Sequence, residues 1–123
     1  MYVAKTLSED PDLEQFRHLH KIGYTSNAPE KRISGAKDDP TFLNAPAVLI
    51  DHYEIPAANA KYETALHNFF SEKRLDIWFE NGSSPCEWFD VPAEAIAQAI
   101  QLIPTKQMVH YRYNPETLKV ELA

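Results

Sequence analysis

His20-Lys21-Ile22-Gly23-Tyr24-Thr25 is the stretch whose reading decides the fold. Ile22, Tyr24 and Thr25 favour extended backbone, and a glycine inside such a run marks a bulge or a close approach to the main chain. Upstream, Tyr2-Val3-Ala4-Lys5-Thr6-Leu7 reads as a second strand paired with it. Between them lie a polar, proline-bearing stretch, Ser8 to Leu13, and a short helix over Leu13 to His18, so the connection is a loop insertion between paired strands. Downstream, Asn27-Ala28-Pro29-Glu30 is a helix start, with Asn27 as N-cap and Glu30 completing a capping box. That helix is expected to reach Lys37, where Asp38-Asp39-Pro40 stops it.

Further on, Ala47 to Glu54 reads as a third strand, whose apolar first half predicts a central position covered on both faces. Residues 57 to 72 carry the longest helical pattern, with Tyr62, Leu66, Phe69 and Phe70 on one stripe. A turn over 81–85 precedes a short strand at 86–89. A helix then runs from Asp90 to Ile103 with Ala95, Ile96, Ala99 and Ile100 inward. The tail, 108–113 and 118–122 around Asn114-Pro115-Glu116-Thr117, reads as a hairpin. The fold class is α/β (α+β): a small three-stranded antiparallel or mixed sheet flanked by helices, with a C-terminal hairpin.

At 123 residues the chain is long enough for one domain with a real core. The single Cys86 excludes an internal disulfide, and no apolar run is long enough to span a bilayer. A cytoplasmic protein with no membrane association is therefore the expectation. Net charge is 12 − 18 = −6, which argues against a generic nucleic-acid coat protein. Yet Lys21, Lys31, Arg32 and Lys37 face only Glu30 between positions 21 and 37, so a small basic focus sits on an acidic body. That distribution suits a local anion site.

Glu63 is the candidate for chemistry that stands out. It precedes Leu66, His67 and Phe70 by three, four and seven residues and so shares their inward stripe. A carboxylate there needs a partner or a cation. The plain alternative is a pairing with Lys61 or an arginine. As a metal ligand it suits Mg²⁺, which keeps most of its waters and takes one or two carboxylates plus substrate phosphate. His67 either orients that carboxylate, touches phosphate, or is a satisfied half-buried histidine. His18, His20, His52 and His67 lack zinc-ligand spacing, and there is no paired cysteine.

Arg32 lies in the first turns of its helix, where a guanidinium clamps phosphate, or else it belongs to a solvated Lys-Arg pair. Tyr2, Lys21 and Tyr24 fall on or at the ends of two paired strands. A phenol beside cations can serve as a general base, whereas strand tyrosines are ordinarily packing residues.

Taken in order, these segments resemble the GIY-YIG endonuclease superfamily, in particular a phage-type and bacterial branch with Lys-Ile-Gly-Tyr-Thr and Glu-x-x-x-His motifs. Here those motifs are Lys21 to Thr25 and Glu63 to His67; Glu87-Trp88-Phe89 followed by a helix is similar to the closing element of that branch. The resemblance covers about residues 2 to 100. It implies one divalent ion, Mg²⁺ or Mn²⁺, held by Glu63, with Tyr2 as general base on the attacking water and Arg32 stabilising the scissile phosphate. Lys21 stands where the second motif has its first tyrosine, and would assist the phosphate or Tyr2, with Tyr24 the alternative tyrosine. The glycine and isoleucine of the first motif are missing before Tyr2, which suggests either a domain excised from a larger polypeptide or an unusually tight start. The expected organisation is a nuclease domain over 1–104 with 105–123 as its hairpin extension. The expected activity is metal-dependent DNA cleavage; the alternative is a non-catalytic module of this fold that binds nucleic acid or a protein.

Overall fold

Two antiparallel pairings organise the chain around its first strand. A computed structural model describes residues 1–55, 60–75, 79 and 86–123. Strand β1 (Tyr2–Thr6) pairs with β2 (His20–Gly23) on one side and β3 (Ala47–His52) on the other, and β2 pairs in turn with the short β4 (Trp88–Phe89). The sheet order is β3-β1-β2-β4, all antiparallel. The α+β class with a terminal hairpin is as expected, and the sheet gains a fourth strand from the Trp88-Phe89 segment. The predicted turn at 81–85 lies outside the described residues.

The predicted position of β3 is corrected. It is an edge strand, and Val48 and Ile50 are each 39% exposed. The doubly covered strand is β1, whose Tyr2, Val3 and Ala4 are wholly buried. Val3 faces one core with Ile22, Phe89 and two helices, α2 (Ala60–Phe69) and α3 (Ala93–Leu102). Tyr2 and Ala4 face a second core with Ala36 and Phe42. Alternation on a strand sends successive side chains to opposite faces, and on β1 both faces are covered, whereas the more apolar β3 has one open edge.

On α2, Leu66 is buried, and Phe70 just beyond it is as well, while Tyr62 and Phe69 pack half-buried on the same core, as the stripe predicted. Each large apolar side chain so buried contributes roughly 1.5–3 kcal/mol. Ala95, Ile96, Ala99 and Ile100 on α3 complete that layer.

Helix α1 (Pro29–Ser34) is shorter than expected, and Asn27 does not cap it. Ala28 is the N-cap without a side-chain bond, and Asn27 lies before it in a turn in which its N–H donates to Thr25 Oγ1 at 3.2 Å. Single 3-10 turns at Ala36–Asp38 and Pro40–Phe42 then carry the chain back and seat Phe42 beneath Tyr2. The segment expected as a helix from Leu13 to His18 is a 3-10 turn at Pro11–Phe16. The tail forms the hairpin β5 (Tyr111–Asn114) and β6 (Lys119–Leu122), docked on α3 through Val120 N–H to Gln98 Oε1 and on Phe70 through Tyr113.

Candidate active site

The register of β1 against β2 sets Tyr2 opposite Gly23, and the phenol ring lies across the glycine. A Cβ at position 23 would meet the ring, 2.7 Å from its Cε1 and closer still to Cζ and Oη. Glycine is needed here for space. The close approach expected at this residue is therefore a specific one, to the Tyr2 side chain.

Lys21 is completely buried, a position that demands partners for an ammonium. It donates to Tyr2 Oη at 2.6 Å, lies 3.4 Å from Glu87 Oε2, and sits over the rings of Phe42 and Tyr2 at 4.3 and 4.8 Å. The β2–β4 pairing explains the ion pair: Lys21 is opposite Trp88, so Glu87 arrives one residue earlier on the same edge.

Arg32 reaches this group from α1. Its Nη2 is 3.1 Å from Asp39 Oδ2 and 3.4 Å from Thr41 Oγ1, with the side chain 41% exposed. Its guanidinium is held above the ordinary pKa first by its interaction with the Tyr2 phenol, then by the charges of Asp39 and Glu87.

Glu63 comes from α2 on the other side. Its carboxyl is pushed above the usual value, chiefly by burial and next by the charge of Glu87. His67, the Tyr24 backbone N–H and Lys21 act in the opposite direction. Glu63, His67 and Glu87, all half-buried, offer ligand-type atoms that lie within 4.8 Å of one another. His67 Nε2 is 2.8 Å from the Ile22 carbonyl, and its ring tilts against Phe89. Such a half-buried carboxylate, with a second carboxylate beside it, fits a divalent ion as hard oxygen donors do.

With that geometry in place, comparison with known proteins identifies the family. The model of the T5orf172 domain matches residues 1–104. The chain belongs to the T5orf172 domain family. This corrects the resemblance drawn from Lys21 to Thr25 and Glu63 to His67: the family matched is T5orf172, not the GIY-YIG superfamily. Short motifs in a shared order did not separate the two. The chain is also 37% identical over 115 residues to the uncharacterised protein YeeC of Bacillus subtilis (strain 168), covering 89% of this chain. It spans only 30% of that relative's length. No solved structure matches it.

Within this T5orf172 domain the site residues singled out from the sequence converge at one end of the sheet, where β1 begins and β2 ends. Tyr2, Lys21 and Arg32 form one group, Glu63 and His67 another. Tyr24 contributes its backbone N–H to Glu63, while Tyr24, Asn27, Tyr53 and Met1 line an adjoining hollow of about 700 Å³. Glu87, absent from the candidate residues, joins the two groups, lying beside both Lys21 and Glu63. The signal for it was present: a carboxylate directly before Trp88-Phe89, in a strand too short and apolar to favour one. No helix among the described residues is long and apolar enough to cross a membrane.

Proposed function

We propose that this domain hydrolyses DNA phosphodiester bonds with the help of a divalent ion, Mg²⁺ or Mn²⁺. The observation that carries the reading is the buried Lys21 ammonium, which joins the Tyr2 hydroxyl to a carboxylate pair beside an arginine. Glu63 would hold the ion, which when bound polarises the phosphate and offsets charge on the leaving oxygen. The family is linked to nuclease-like and DNA-binding functions, which supports the same conclusion.

The chain's own residues supply the remainder. Tyr2, once its own proton has passed to solvent, would accept that of the attacking water, while Lys21, able only to donate, holds the phenol oxygen and the leaving oxygen takes its proton from solvent. Arg32 exchanges its bonds to Asp39 and Thr41 for the phosphate, where a planar guanidinium meets two oxygens at once. His67, fixed by the Ile22 carbonyl, orients Glu63 one turn before it on α2. The Tyr24 N–H does the same from the strand end.

Nicking of supercoiled plasmid with Mg²⁺ or Mn²⁺ tests this reading. Glu63→Ala and Arg32→Ala should each lower the rate by at least about 10²-fold with circular dichroism unchanged. Equal nicking by wild type and both variants contradicts it. The complete burial of Tyr2 and Lys21 favours a second reading, a non-catalytic module that binds nucleic acid or a protein. In that case the wild type binds DNA in a mobility shift and nicks none.

A further inference from the structure

We infer that Glu87 is a metal ligand, and that Glu63, His67 and Glu87 together form a site of two carboxylates and one imidazole that prefers Mn²⁺ to Mg²⁺. This rests on the metal-dependent reading above and gives it a donor set.

Glu63 and His67 lie one turn apart on α2 and Glu87 comes from just before β4, yet a single piece of backbone holds all three. The Ile22 N–H donates to the Glu87 carbonyl at 3.0 Å, and the Ile22 carbonyl is 2.8 Å from His67 Nε2. Two residues on, the Tyr24 N–H reaches the Glu63 carboxylate. The end of β2 is thus a template that brings all three side chains to one point, their ligand-type atoms within 4.8 Å of one another. Metal-binding histidines commonly give their second ring N–H to a backbone carbonyl. With Nε2 bonded to Ile22, the neutral ring keeps its lone pair on Nδ1.

Glu87 has capacity to spare. Lys21 stands 3.4 Å from Oε2, longer than a charge-assisted hydrogen bond, and a carboxylate offers about four lone-pair sites. The ammonium therefore balances and aims the carboxylate without saturating it. Mg²⁺ takes oxygen and keeps its waters, whereas a set that includes imidazole shifts preference toward transition ions; the two carboxylates keep Mn²⁺ suitable.

Titration of the purified chain with Mn²⁺, without DNA and followed by the electron paramagnetic resonance signal of the free ion, tests this directly. Wild type should bind one Mn²⁺, and Glu63→Gln, His67→Ala and Glu87→Gln should each weaken binding by at least about tenfold. Glu87→Gln leaves a buried ammonium uncompensated and can unfold the chain, so Lys21→Met with Glu87→Gln, which removes the ion pair as a unit, is the second variant. It should show the same loss. Mg²⁺ should displace Mn²⁺ only at about tenfold excess or more. Wild-type affinity in the double variant, with binding lost in Glu63→Gln, overturns the role of Glu87 and leaves the Glu63 reading standing. Unchanged binding in Glu63→Gln overturns both. Displacement by equal Mg²⁺ overturns the preference.

Discussion

Glu63 shows how one residue's environment sets a measurable property. A glutamate on the inward stripe of α2 was legible from spacing, because Leu66 and Phe70 define that stripe. Its neighbours were not legible, since Glu87 lies 24 residues away and reaches it only through the β2–β4 pairing. Burial and Glu87 raise the folded-state pKa above the ordinary 4.5, so folding favours the protonated form. The sign follows from linkage: this stability is full below 4.5 and is lost as pH rises through the raised value. In chelator, the wild-type melting temperature should therefore fall relative to that of Glu63→Gln as pH rises from 4.5 toward neutrality. A gap between the two that stays constant with pH would contradict the assigned environment. At Gly23 the sequence allows a bulge or a close backbone approach; the structure shows a close approach by the Tyr2 side chain, which required the register that pairs the two.

At the scale of elements, strand and helix identities followed from periodicity, whereas rank within the sheet did not. The apolar run of β3 suggested a centre, yet pairing order is a property of the whole sheet, and β1 took the position with both faces covered. The start of α1 lies one residue later than the sequence predicts: Asn27 sits in a turn with its N–H on Thr25 Oγ1, and the helix begins at Pro29 after an Ala28 cap that makes no side-chain bond. The terminal hairpin was recognised, but not how it docks. Tyr113 packs edge-on to Phe70 at 5.4 Å, and its buried hydroxyl has no hydrogen-bond partner among the described residues. Removing an unsatisfied buried hydroxyl while keeping the ring recovers its desolvation cost. Tyr113→Phe should leave stability unchanged or raise it by up to about 1 kcal/mol in urea unfolding. A loss of that size would mean the hydroxyl has a partner in solution.

For the whole molecule, the acidic balance and the small basic focus acquire a structural sense. Lys31, Arg32 and Lys37 are exposed together around α1, while Lys21 is withdrawn into the core as part of the site. Three exposed cations suit a short contact with one phosphate backbone, not a long track. The chain matches under a third of its YeeC relative, and we propose that any further DNA selection lies in the remainder of such longer proteins. The central claim is that water is added across a DNA phosphodiester bond at the Glu63 end of the sheet. Incubation of duplex DNA with the domain and Mn²⁺ in ¹⁸O-enriched water, read by mass spectrometry of the fragments, tests it most directly. The account predicts one ¹⁸O in each new terminal phosphate, and none without metal or with Glu63→Ala; intact DNA, or cleavage without label, would contradict it.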